Sequence, residues 1–226
     1  MKQISKLSPI HHEEEKWQGH FVEQDGWQVV QWFSSVEQEI DAARQRVALC
    51  DQSQRKKLTI EGKDAGVLLN AEDLAINAGM MTAEGHLYRL RGDRFFIGLD
   101  KRAAPAAARR LDDMAQAAAS LITVTDVTDA NAELWLIGPH SAQLRSRFCG
   151  LDYHDSQFPD SSAKQRSVAK TAQLILRQDR SGLPAYALIG ARSLASYLWQ
   201  TVFEAGKDLG LQLMGNMAFE QLLGKT

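Results

Sequence analysis

At 226 residues and a formal charge of −2, the chain has none of the basic excess that a nucleic-acid surface requires. Its apolar runs fall far short of the roughly 20 residues that cross a bilayer. The polar start Met1-Lys2-Gln3-Ile4-Ser5-Lys6-Leu7-Ser8 lacks the apolar core of a signal peptide, so a cytoplasmic protein is expected.

Residues 1–16 read as a polar arm, and 17–226 as the folded body. His11-His12-Glu13-Glu14-Glu15 on such an arm reads as solvated charge, because adjacent side chains on a flexible segment preset no coordination geometry; no metal is expected. Gly26-Trp27 and the alternation through Trp32 predict a turn and a strand. Ser34 or Ser35, each followed three positions on by Glu37 or Gln38, has capping-box spacing. Val36, Ile40, Ala43 and Val47 then give a helix its apolar face. On this pattern Glu37, Glu39, Asp41, Arg44 and Arg46 face water, and the helix ends near Cys50. Cys50 and Cys149, in apolar contexts, are expected as buried thiols.

Leu58-Thr59-Ile60-Glu61 predicts a strand, Gly62 a turn, and Asp64–Asn70 a short helix. Residues 71–83 read as a connection. Leu87–Leu90 and Arg94–Leu99 flank Arg91-Gly92-Asp93 as a hairpin. Ala103–Ala119 is an alanine-rich helix with Pro105 in its first turn. The order then returns. Leu121–Thr125 is a lead-in strand, Leu134–Ile137 meets Gly138 as Ile60 met Gly62, and Ser141–Phe148 is the matching helix. After a polar loop over 150–167, Ala172–Arg177 and Ala185–Ile189 form the matching hairpin. A last helix runs from Ser193, with Leu194, Leu198, Val202, Ala205 and Leu209 inward and Tyr197 and Trp199 flanking.

Each half is strand, helix, hairpin, helix. Hairpins need antiparallel neighbours, so the expected fold class is α+β: duplicated ferredoxin-like units, about 50–120 and 121–226, with antiparallel or mixed sheets and helices on one face, their interleaving left open. The usual catalytic constellations are missing. Gly62-Lys63-Asp64 lacks phosphate-loop spacing, there is no Cys-x2-Cys or His-Glu-x2-His, and His20, His86, His140 and His154 stand singly.

The sequence of segments carries a resemblance. Gly26-Trp27, the helix from Val36 to Ala48, Leu49-Cys50-Asp51-Gln52-Ser53 and Leu58 through Ala65 resemble the opening of the aminomethyltransferase family, the T-protein of the glycine cleavage system and its relatives. Leu136-Ile137-Gly138-Pro139-His140-Ser141-Ala142 is similar to that family's Gln-Gly-Pro-x-Ala. Tyr197-Leu198-Trp199 to Glu204-Ala205-Gly206, and Gly215-Asn216-Met217-Ala218, resemble later family motifs. The resemblance covers 17–226, stops short of the family's C-terminal barrel domain, and implies a duplicated α+β folate-binding body.

What it implies for function is tetrahydrofolate-dependent aminomethyl transfer in one-carbon metabolism. Tyr88, Asp100 (relatives carry Asn) and Tyr186 would line the cofactor site, and Glu84 would be the catalytic carboxylate. Glu84 is the one acidic residue in the shortened 79–88 stretch that could replace the family's substrate-orienting Asp. The family's Glu after the matching Tyr is Ala187 here, and its Arg after Gly-Leu-x-Ala is Phe219. The other implied function is a non-catalytic subunit or interaction module, similar to the gamma subunit of sarcosine oxidase, with an oxidase or carrier-protein partner. A scaffold without folate is the third.

Overall fold

The computed structural model describes residues 5–150 and 156–223. Residues 1–4 of the polar arm, His154 with 151–155 of the polar loop, and 224–226 lie outside the described residues.

In chain order the elements are β1 (Lys6–Leu7), α1 (His11–Lys16), β2 (His20–Gln24), β3 (Trp27–Trp32), α2 (Val36–Gln45), β4 (Ala48–Asp51), β5 (Lys57–Gly62), α3 (Ala65–Leu68), β6 (Gly79–Met81), β7 (Gly85–Arg91), β8 (Arg94–Leu99) and α4 (Ala104–Ala117). They continue with β9 (Ile122–Asp126), β10 (Asn131–Ile137), α5 (Ser141–Ser146), β11 (Ser162–Val168), β12 (Thr171–Arg177), β13 (Ala185–Ala191), α6 (Ala195–Gly206), β14 (Gln212–Met214) and α7 (Asn216–Leu222). The chain divides into two compact units. One holds the residues up to Gln54, Asn131–Asp160 and those from Gln165 on; the other holds Arg55–Ala130 and Ser161–Lys164.

The first unit contains a small sheet of order β1-β3-β2 and a mixed sheet of order β11-β12-β13-β10-β4-β14. Asp25 and Gly26, both at positive φ, make the tight turn between β2 and β3. Alternation sorts the large sheet's two faces. Leu49, Leu134, Leu136, Ile175, Tyr186 and Leu188 join Leu198, Trp199 and Val202 of α6 in one apolar core. Trp199, expected at the flank of that helix, is fully buried, whereas Leu194, expected inward, is exposed. The cross-strand register puts Cys50, Trp135 and Ala187 together on the opposite face.

The second unit is one antiparallel sheet of order β6-β7-β8-β5-β9. Leu58, Ile60, Leu87, Phe95, Ile97 and Leu99 on one face meet Ala107, Leu111 and Ala115 of α4. Strand order in the two large sheets now corresponds position by position: β6-β7-β8-β5-β9 against β11-β12-β13-β10-β4. The duplication read from the sequence is thus built into the topology, as a mixed and antiparallel α+β fold with no closed barrel among the described residues. The lead-in strands are exchanged. β9 precedes β10 in the chain but pairs with β5, and β4 precedes β5 but pairs with β10.

The glycines that end the two matched strands do the same work. A Cβ at Gly62 would press on the carbonyl oxygen of Leu121, 2.6 Å away. One at Gly138, at φ +125°, would fall on the carbonyl oxygens of Ala43 and Arg46.

Two local differences from the sequence reading have clear causes. The α2 helix ends at Gln45, and Ala48–Asp51 is a strand; the run Val47-Ala48-Leu49-Cys50 is fully buried, a pattern that helix and strand periods share. Ser35 is the N-cap, its Oγ accepting from the Gln38 N–H at 3.3 Å, as the capping-box spacing predicts. Glu39, expected to face water, is 1% exposed. Its Oε1 accepts from the Phe33 N–H at 2.6 Å and the Ser34 N–H at 3.1 Å, and its Oε2 from the Gly215 N–H at 2.8 Å.

Within the segment read as a polar arm, α1 buries Ile10 just before its first turn and Glu14 on its inner side. His11 and His12 both face Glu15. Burial, and then the charge of Asp51, pushes the Glu14 carboxyl well above the usual range. A raised folded-state pKa means that the folded chain holds this proton more tightly than the unfolded one. Stability therefore falls as pH rises from the ordinary glutamate value through the folded value. Glu14→Gln removes the penalty, about 1.4 kcal/mol per pKa unit of displacement. Its melting temperature relative to the parent is expected to climb between pH 4.5 and pH 8; a constant difference would show that Glu14 does not titrate in this way.

Candidate functional site

In the second unit, α3 and α4 leave part of the sheet uncovered. The opening is a groove of about 260 Å³. Leu68, Leu87, Ile97 and Leu111 form its apolar floor, and Met80, Met81 and Met114 its walls. The methionine walls come from β6, inside the stretch read as a plain connection, and from the C-terminal half of α4.

Glu84 stands at one end. Its Oε1 is ion-paired with an Arg110 Nη2 reaching over from α4. The second terminal nitrogen, Nη1, donates weakly to the Met114 thioether, 3.8 Å away. Sequence reasoning singled out Glu84 but missed Arg110, because the pair spans a hairpin and a helix turn. Asp100, at the end of β8, lies beside Glu84 through the backbone: its N–H donates to the Glu84 carbonyl at 2.8 Å. Its own carbonyl accepts from Ala103 and Ala104 and so starts α4. The Asp100 side chain is exposed.

Tyr88 points to the other face of the same sheet, since Leu87 beside it faces the helices. Its ring stacks on His86 at 4.7 Å and covers Gly79 of the neighbouring strand. Both residues are buried.

Tyr186 belongs to the first unit, on the helix-covered face of β13. The Arg145 guanidinium lies on its ring, 2.9 Å from the centroid, and Phe158 stacks on it at 5.9 Å. Arg177 is nearby, held by Asp179 through two 3.0 Å bonds and by the Phe158 carbonyl at 2.7 Å. On the opposite face Trp135 donates to Glu133 at 2.7 Å, meets the Phe219 ring edge-on at 5.4 Å, and lies under Arg180 at 5.0 Å. Ala187 pairs across the sheet with Trp135.

Both cysteines are free, buried thiols. Burial pushes the Cys50 thiol well up, against the lowering effect of its bond from Gln52, so it is not poised as a nucleophile. Among the described residues no group of three or more His, Cys, Asp or Glu is placed to hold a metal ion. No helix among them is long and apolar enough to cross a membrane.

The sequence model described as the GCVT N-terminal domain matches residues 10–72 and 73–223. This chain belongs to the GCVT N-terminal domain family. Among its relatives is the sarcosine oxidase subunit alpha of Rhizobium meliloti (strain 1021), 28% identical over 239 aligned positions, covering 93% of this chain and 24% of that one. Two solved structures share the fold. The glycine cleavage system aminomethyltransferase T of Bartonella henselae superposes with a TM-score of 0.80 at 20% identity, covering 96% of this chain and 62% of that one. A chain of the heterotetrameric sarcosine oxidase of Corynebacterium sp. U-96, in complex with pyrrole 2-carboxylate, superposes at 0.67 with 16% identity, covering 90% of this chain and 96% of that one. The chain thus spans about a quarter of the length of the alpha subunit it matches.

Proposed function

We propose that this GCVT N-terminal domain is a non-catalytic subunit or partner-binding module of a multi-subunit amine-oxidising enzyme. One observation carries the reading: where the family resemblance expects a Glu and an Arg, the chain holds Ala187 and Phe219, both buried against Trp135. A methyl group and a phenyl ring accept or donate none of the bonds a pterin needs. Each polar ligand atom left unpaired in such a place costs about 1–3 kcal/mol. The two replacements remove contacts that the resemblance assigns to tetrahydrofolate, and we derive no step through it. The match to one chain of a heterotetrameric sarcosine oxidase over 96% of that chain's length supports the subunit reading.

The second reading is tetrahydrofolate-dependent aminomethyl transfer, with Tyr88, Asp100 and Tyr186 at the cofactor and Glu84 as catalytic carboxylate. It is favoured by the close superposition on aminomethyltransferase T. Thermal unfolding with tetrahydrofolate separates the two. A ligand at 100 times its Kd stabilises by about 2.7 kcal/mol, a rise of roughly 5–10 °C for a chain of this size. The subunit reading expects no such rise, and co-purification of the tagged chain with a flavin-containing polypeptide. A clear rise with tetrahydrofolate and isolation of the chain alone would overturn it.

A further inference from the structure

We propose that the groove of the second unit is a binding site for a free apolar α-amino acid. This stands apart from the subunit reading and shares no residue with the argument from Ala187 and Phe219.

The groove joins two features. Its floor and walls are apolar, and three of its walls are methionines, unbranched side chains that adapt to a ligand's shape. At about 260 Å³ it lies just under the roughly 300–1,000 Å³ of ordinary small-molecule sites, which favours a small occupant. At one end stand one carboxylate and one guanidinium, side by side. Glu84 is mostly covered, with its side chain 20% exposed, and Arg110 is 53% exposed. Glu84 uses only Oε1 on Arg110, and Arg110 offers Nη1 to nothing better than a thioether.

Each ion of the pair therefore has an acceptor or donor to spare, and the spare positions have opposite sign. An anionic ligand would meet Glu84 and a cationic one Arg110, each a like charge. A zwitterion meets neither penalty: its ammonium takes Glu84 Oε2, its carboxylate takes Arg110 Nη1, and the Met114 sulfur gives way cheaply. An apolar side chain on that zwitterion fills the floor. The ligand class is thus leucine-, methionine- or phenylalanine-like.

Methyl-labelled methionine NMR on the full chain provides the test. The sequence has six methionines, and the three in the groove can be read against Met214 and Met217 of the other unit. L-Phenylalanine is expected to shift the Met80, Met81 and Met114 methyls and leave Met214 and Met217 in place. Phenethylamine and 3-phenylpropionate, which carry one charge each, should bind at least about tenfold more weakly, the loss of one charge-assisted contact. Glu84→Gln and Arg110→Met should each weaken L-phenylalanine by a similar factor. Three results would overturn the proposal: no shift at these methyls with L-phenylalanine or L-leucine up to about 10 mM, equal binding of the single-charge analogues, or shifts that follow protein concentration and so report a second copy of the chain. The analogue series on the parent protein decides the matter even if a variant fails to fold.

Discussion

Replacing Glu39 by alanine is expected to destabilise the first unit by about 3–4 kcal/mol. One carboxylate there serves three backbone N–H groups from two chain segments, the end of β3 and the turn between β14 and α7. Bonds to a charged acceptor contribute about 1.5–3 kcal/mol each, less than additively when they share it. Removing the acceptor leaves the buried Gly215 N–H unpaired and the part-buried Phe33 and Ser34 N–H groups to water. Glu39→Gln should fall between the two. Its carbonyl can still receive Phe33 and Ser34, but its amide nitrogen would face the Gly215 N–H, donor against donor. Urea unfolding of the three proteins reads the ranking, and at about 2–4 °C per kcal/mol the alanine variant should melt near 10 °C lower. A cost below about 1 kcal/mol would mean that water replaces the carboxylate.

Gly138→Ala should be at least as damaging. At φ +125° an L side chain is strained, and the added Cβ would fall on two carbonyl oxygens, those of Ala43 and Arg46. Backbone cannot swing aside as a side chain can. The Arg46 carbonyl also accepts from the His140 N–H at 3.0 Å, so the same shift would loosen the start of α5. Strain of about 1–3 kcal/mol and overpacking of about 1–3 kcal/mol together predict a loss of roughly 3–5 kcal/mol or insoluble protein. Gly92→Ala is the matched control: nothing lies within 4 Å of its Cβ position, and its effect should stay within about 0.5 kcal/mol. Equal stability of the two variants in denaturant melts would contradict the close approach at Gly138.

The sequence made the repeating order legible because hairpins and glycine turns are local signals. Arg91-Gly92-Asp93 and the Gly62 and Gly138 turns depend on residues a few positions apart, and the hairpins β7-β8 and β12-β13 and the helices α4, α5 and α6 fall where the periods put them, whereas α1, β6 and most of β11 lie in stretches that read as arm, connection and loop. Pairing over long distances was not legible. The β4 strand was read as a helix end because only its partner β10, some eighty residues on, tells a buried strand from a buried helical turn. The helix period alone turns Glu39 to solvent, because the packing that buries it includes Gly215, 176 positions away. In the groove, Glu84 was visible as an isolated carboxylate. Its meaning came from Arg110 and three methionines, none of which carries a motif.

The exchange of lead-in strands has a consequence for synthesis. β4 leaves the ribosome early, yet one of its edges is closed only by β14 near the far end of the chain. Between Asp51 and Gln212 about 160 residues must be made, roughly 8–30 s at about 5–20 residues per second. Throughout that interval the fully apolar Ala48-Leu49-Cys50 edge is an open template for strand addition. The second unit is complete once Lys164 emerges, while the first still waits for its last strand. A truncation before residue 212 exposes that edge permanently.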